Sequence, residues 1–199
     1  MKLGKFLRFE VIEMLTEGEV FTNEIYILEL LNEIKREGIR DYIKYIENSD
    51  FFYAPASTKY HRNYPGGLAE HCLNILEPLK ISNSRLMEKK QLPEDSLIII
   101  ALGHDICKEG LYIEDNGSYR TFEGHPAHYK HSILSIERIE KYMKLTRTER
   151  DIILYHMGLF SCYEYGMEYT PEDLMRAIKR HPLVQIFAAI DMEETHWQK

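Results

Sequence analysis

Leu97-Ile98-Ile99-Ile100-Ala101-Leu102-Gly103-His104-Asp105 is the stretch that decides the fold. Apolar residues follow one another without a break after Pro93, so a helix over 94–107 is expected at the centre of the molecule, enclosed by other elements. Its end delivers a histidine and a carboxylate side by side. Working outward, His71 lies upstream, His131 and His156 lie downstream, and Asp191 follows, each on or beside an apolar helical pattern. Imidazole and carboxylate together bind Mn, Fe, Ni, Zn or Mg at neutral pH without a thiolate. A carboxylate directly after a histidine can also ligate one ion and bridge to a second. Burying six ionisable groups without a metal or mutual pairing is costly. His71, His104, Asp105, His131, His156 and Asp191 are therefore read together as ligands of one or two divalent ions.

The rest of the chain reads as helix almost throughout. Phe6, Leu7, Val11, Met14 and Leu15 suggest a first helix stopped near Gly18. Thr22 or Asn23 would cap a second, with Ile25, Leu28, Leu31 and Ile34 on one face and Gly38 as its stop. A third runs from about Ile39 to Glu47. Residues 48–67 are irregular, carrying Pro55, Pro65 and Gly66-Gly67, and loops of that length usually have a task. Leu68, Cys72, Ile75 and Leu79 mark a helix over 68–80, which Pro78 kinks or ends. The turn-rich stretch 109–127 has room for one short β-hairpin within 111–122. Helix resumes over 128–143. Thr146-x-x-Glu149 is a capping box for a helix to Met157 with Gly158 as stop, Thr170-Pro171 opens another, and Pro182 starts the last. The class is all-α, a helical bundle in which residues 1–47 form an N-terminal helical extension on a domain spanning 48–199.

Composition narrows the function. The chain has 199 residues, 44% of them hydrophobic, enough for one real core. Asp and Glu number 32 against 25 Lys and Arg, a net charge of −7 that weighs against a broad nucleic-acid surface. A small anionic substrate remains compatible, because a metal brings its own positive charge. Cys72, Cys107 and Cys162 form no C-x-x-C and are odd in number, which fits a reducing cytoplasm rather than a disulfide framework. Residues 1–10 break their apolar run with charge too early for a secretory signal, and no stretch approaches a membrane span. There is no H-E-x-x-H, no phosphate-cradling glycine loop and no G-x-S-x-G. Ligands drawn from well-separated helices instead suit a site inside a bundle.

Several segments together resemble the HD-domain superfamily of metal-dependent phosphohydrolases. Ala54-Pro55-Ala56-Ser57-Thr58-Lys59-Tyr60-His61-Arg62-Asn63-Tyr64-Pro65-Gly66-Gly67-Leu68-Ala69-Glu70-His71 resembles the entry segment of small bacterial and phage HD hydrolases, and is similar to the HD part of bacterial 3′–5′ exoribonucleases. Ile100-Ala101-Leu102-Gly103-His104-Asp105-Ile106-Cys107-Lys108 resembles the central HD helix, with cysteine where the family usually has glycine. His131-Ser132-Ile133-Leu134-Ser135, the stretch from Lys144 to Gly158, and Ile190-Asp191 match further family positions. The similarity covers roughly residues 50–195.

That resemblance implies His71, His104, Asp105 and Asp191 around a first ion, with Asp105 bridging to a second completed by His131 and His156. His125 and His128 are weaker alternatives near that second ion. It further implies hydrolysis of a nucleotide or other small phosphoester by metal-activated water. Lys108, three residues after Asp105 and so about one helical turn on, is the candidate cation for the phosphoryl oxygens, which makes Asp105 and Lys108 the expected catalytic groups. Lys59, Tyr60, His61, Arg62 and Asn63 mix cations and aromatic faces suited to phosphate and base, and Tyr64 adds a further ring. A phosphodiesterase on oligonucleotides or RNA is the second expectation, and a non-catalytic nucleotide sensor the third.

Overall fold

The computed structural model describes residues 14–59, 61–128, 131–163 and 169–196. The expected first helix lies mostly outside them, with Phe6, Leu7 and Val11. Where description begins, Thr16 accepts from the Glu19 N–H and Glu19 reaches back to the Thr16 N–H, so a capping box starts α1 (Glu17–Glu33). Gly18 therefore sits inside the first turn rather than ending a helix. Thr22, expected as a cap, instead bonds back along the helix to the Gly18 carbonyl. The helix stops at Glu33, before Gly38, and Gly38 initiates α2 (Ile39–Glu47). Its φ of +84° suits glycine, and a Cβ there would meet the Tyr142 carbonyl oxygen at 1.7 Å.

α3 (Gly67–Ser84) runs past Pro78 without ending there. The turn beyond the proline buries Leu79 and Asn83, and the Asn83 amide exchanges two hydrogen bonds with Leu92, which outweighs one lost helical bond. α4 (Glu94–Gly103) is buried from Ser96 to Gly103 on every side, as the unbroken apolar run requires. Gly103 lets α5 (His131–Glu140) close in, since a Cβ would sit 2.7 Å from Cδ1 of Ile139. α4 ends four residues earlier than the sequence pattern suggests. The N–H of Cys107 donates to Ser135 Oγ (3.2 Å) instead of back along the helix, and residues Ile106–Lys108 form a 3-10 turn.

The short hairpin is present: β1 (Tyr112–Asp115) pairs antiparallel with β2 (Ser118–Thr121) across Asn116-Gly117, both at positive φ. α5 occupies 131–140 of the expected 128–143. Thr146 and Glu149 form the expected box at the start of α6 (Arg147–Leu154), which ends before Met157 because the chain turns at Tyr155, Gly158 N bonding the Tyr155 carbonyl. Thr170 caps α7 (Pro171–Arg180), and α8 (Leu183–His196) follows Pro182.

Among the described residues the molecule is predominantly helical with one two-stranded sheet. α3 packs on both α4 and α8, and α6 packs on α8, so the ends of these elements converge. Ile27, Leu31, Tyr42 and Ile46 of α1 and α2 belong to the same core as Leu68, Ile75 and Ile99. Arg36, in the loop between α1 and α2, forks onto the buried Glu149 carboxylate at 2.5 and 3.0 Å and ties that pair of helices to α6. Among the described residues no helix is long and apolar enough to cross a membrane.

Candidate metal centre

Four histidines turn their Nε2 edges toward one carboxylate, Asp105, which is 2% exposed. On one side, Nε2 of His71 lies 3.5 Å from Asp105 Oδ2, 3.3 Å from Nε2 of His104 and 3.3 Å from Asp191 Oδ1. Nε2 of His104 is 3.6 Å from Asp105 Oδ2 and 3.8 Å from Asp191 Oδ1. On the other side, Nε2 of His131 and of His156 lie 2.7 and 3.6 Å from Asp105 Oδ1. The two oxygens of one carboxylate thus face two different imidazole sets. α3 supplies His71, the end of α4 supplies His104 and Asp105, α5 supplies His131, the turn after α6 supplies His156, and α8 supplies Asp191.

The far edge of each ring is tied down. His71 Nδ1 bonds Glu194 Oε2, His104 Nδ1 bonds the Ala101 carbonyl at 2.9 Å, His156 Nδ1 bonds the Ile153 carbonyl at 2.8 Å, and His131 Nδ1 faces Cys107 Sγ at 3.0 Å. An Nδ1–H donated outward leaves the Nε2 lone pair pointing inward, the arrangement seen around ligated metals. Sequence reasoning missed Glu194. Its one signal was spacing, since Asp191 and Glu194 are three apart on α8 and share a face.

Electrostatics follow the geometry. Burial, then the neighbouring imidazoles His131 and His104, lower His156 to about 3, and burial lowers His104 as well, so both are neutral and free to donate lone pairs. Burial also opposes charge on His71, but hydrogen bonds to Asp191 and Glu194 outweigh it and raise the ring to about 9. Asp105 is held well below the usual carboxylate range, Lys108 and the surrounding imidazoles outweighing burial. Lys108 Nζ is 2.7 Å from Asp105 Oδ2, and that carboxylate raises the ammonium above its ordinary value despite burial.

The donor set fits a divalent cation. Bonds of about 2.0–2.2 Å to nitrogen and oxygen put donors about 3 to 3.5 Å apart, close to the 3.3–3.8 Å spacings around His71. Asp105 Oδ1 is buried without a hydrogen-bond partner, although His131 lies close, and such an oxygen is costly unless something satisfies it. The buried His71, His104 and Asp105, and separately the buried Asp105 and Cys107 with the half-buried His131, could hold a metal ion.

Beside the centre opens a cavity of about 220 Å³. Its floor holds Asp105, Lys108, His131 and His61, and its wall holds Met157, Phe160 and Met192. His61 came from the loop expected to meet substrate, and both its ring nitrogens are buried without a partner. The rest of that loop is placed differently. Arg62, at φ +45°, donates from Nε to Glu194 Oε1 at 2.6 Å and pairs with Glu70, so it buttresses Glu194 and through it His71. Tyr64 is 5% exposed and donates to Glu70, which leaves no face for a base. Lys59 is exposed and Asn63 half-buried, and neither lines the cavity. Tyr60 lies outside the described residues. His125 is turned away, bonding the Glu109 carbonyl and the Ala127 N–H. Phe160, 70% exposed at the cavity rim, was not anticipated.

No protein-family model, curated protein or solved structure matches the chain.

Proposed function

We propose that this protein is a metal-dependent phosphohydrolase of the HD-domain type, acting on a nucleotide or another small phosphoester. The observation that carries the reading is the split of the Asp105 carboxylate between two imidazole sets whose outer nitrogens are all engaged elsewhere. His71, His104, Asp105 and Asp191 would hold one divalent ion, and Asp105, His131 and His156 a second. When bound, such ions supply Lewis acidity toward phosphoryl oxygen and acidify the attacking water.

The chain's own residues supply the rest. Lys108 places a buried ammonium at the cavity floor, where it binds a phosphoryl oxygen and offsets charge that grows in the transition state. His61 offers two unpartnered ring nitrogens to the ester or leaving group. Phe160, Met157 and Met192 cover an apolar portion of the substrate and exclude water from that side. Arg62 is committed to Glu194 and does not line the cavity, so among the described residues Lys108, paired with Asp105, is the one lysine or arginine on the lining. One cation and a small cavity suit a compact phosphoester better than a strand of RNA.

The test is phosphate and nucleoside release from a panel of nucleoside mono-, di- and triphosphates, aryl phosphates and short oligonucleotides, with Mn²⁺ added to EDTA-stripped protein. Release from the small esters, abolished by EDTA, is the expected result. Turnover of oligonucleotides alone would replace the reading with a phosphodiesterase, and binding without turnover of any member would replace it with a sensor.

A further inference from the structure

One side chain in the second half of the centre takes no part in the chemistry above. Cys107 is fully buried, and its Sγ lies 3.0 Å from Nδ1 of His131, where the other three histidines meet an oxygen. The 3-10 turn and α5 hold it there together: the Cys107 N–H donates to Ser135 Oγ, and Ser135 stands one helical turn after His131 on the same face. Asp105, Cys107 and His131 each offer a ligand atom within 4.8 Å of the others. Asp105 Oδ1 is buried in the same corner, 2.7 Å from Nε2 of His131 but with no well-aligned donor to satisfy it.

Sulfur changes which ion such a corner prefers. Thiolate selects Zn²⁺ and similar soft or borderline ions, whereas carboxylate and imidazole alone also serve Mg²⁺ and Mn²⁺. We propose that Cys107 is a metal ligand, and that Asp105, Cys107 and His131 form a thiolate site for a thiophilic divalent ion next to the His71–His104–Asp191 half of the centre. This rests on reading the cluster as a metal centre. On binding, the thiol proton passes to solvent as the sulfur–metal bond forms. Tetrahedral bonds of about 2.3 Å to sulfur and 2.0 Å to nitrogen separate the two donors by about 3.5 Å, so the His131 ring moves off Sγ by about half an ångström. An ion seated there engages the Nδ1 edge of His131 and leaves Nε2 turned toward Asp105 Oδ1.

Cobalt(II) is the probe, added to the EDTA-stripped full chain, with bound metal counted by elemental analysis. The expected result is a sulfur-to-cobalt charge-transfer band in the near ultraviolet that grows with bound cobalt and is displaced by Zn²⁺. The band is lost in Cys107→Ser and Cys107→Ala, which keep the ion held by the His71 half and keep wild-type circular dichroism. X-ray absorption at the cobalt edge of the wild type reads a sulfur neighbour without any variant. Cobalt bound with no such band and no sulfur neighbour would overturn the thiolate site alone. A band undiminished in the variants would assign it to Cys72 or Cys162 and overturn the proposal equally. A wild type that binds no cobalt at all would take the metal-dependent function down with it.

Discussion

Glu194→Gln isolates what the carboxylate behind His71 does, because the replacement keeps shape and changes charge. Glu194 is 3% exposed, with Oε2 on His71 Nδ1 and Oε1 on Arg62 Nε and Asn74 Nδ2. A glutamine carbonyl can still accept from His71, but the bond is no longer charge-assisted, and such bonds are about twice as strong as neutral ones. The difference is about 1 to 1.5 kcal/mol on the typical scale. Arg62, 16% exposed in its side chain, is left facing an amide and retains only Glu70 as an ionic partner, which loosens the ring further. About 1.4 kcal/mol is a factor of ten in binding, so metal affinity should fall about 10- to 100-fold, the range seen when a group behind a metal ligand is changed. Chelator competition with Zn²⁺ above pH 9, where His71 has already shed its proton, measures this directly, with circular dichroism confirming the fold. Affinity within twofold of wild type would refute the claim that Glu194 orients and polarises His71.

Lys108→Met should lower kcat about 10²- to 10³-fold at saturating metal, the cost of losing one electrostatic contact in a transition state; turnover within twofold of wild type would remove its catalytic role. Metal affinity should fall with acidity below pH 9, because His71, raised to about 9, and His131, also raised above the ordinary imidazole value, must each shed a proton before they ligate; a flat profile in chelator titrations from pH 6 to 9 would contradict both assignments. Glu149, paired with Arg36, is held below its ordinary value of 4.5, so its contribution to stability is complete above that pH and is lost as pH falls through the lower folded value. Glu149→Gln should therefore cost about 3 kcal/mol at pH 7 and progressively less below pH 4.5, read by urea unfolding at both pH values.

The helical class and the hairpin were legible because they rest on local chemistry. Thr146-x-x-Glu149, Thr170-Pro171 and Asn116-Gly117 each carry their own hydrogen-bond logic, and all three act where expected. Errors fell where a competing local signal or a distant partner decided the outcome. Thr16 with Glu19 outcompeted Thr22 as a cap, and Gly18 was tolerated in an exposed first turn. α4 stops at Gly103 because Ser135, on a later helix, takes the Cys107 N–H. At the site, His71, His104, Asp105, His131, His156 and Asp191 stood out as ionisable residues beside apolar runs, and the structure brings all six together. The fate of Arg62 could not be read from the chain, because its partner Glu194 lies 132 residues away. Phe160 escaped notice for the opposite reason, since an exposed aromatic in a short 3-10 stretch has no periodicity to mark it.

The most direct test compares bound metal and phosphoester hydrolysis in the wild type and in Asp105→Ala, at matched protein concentration with Mn²⁺ supplied. Asp105 is the group that faces both imidazole sets, so its removal should strip metal from both halves and abolish turnover while circular dichroism is unchanged. A folded Asp105→Ala protein that keeps its full complement of metal, or that hydrolyses the same esters at the wild-type rate, would contradict the account.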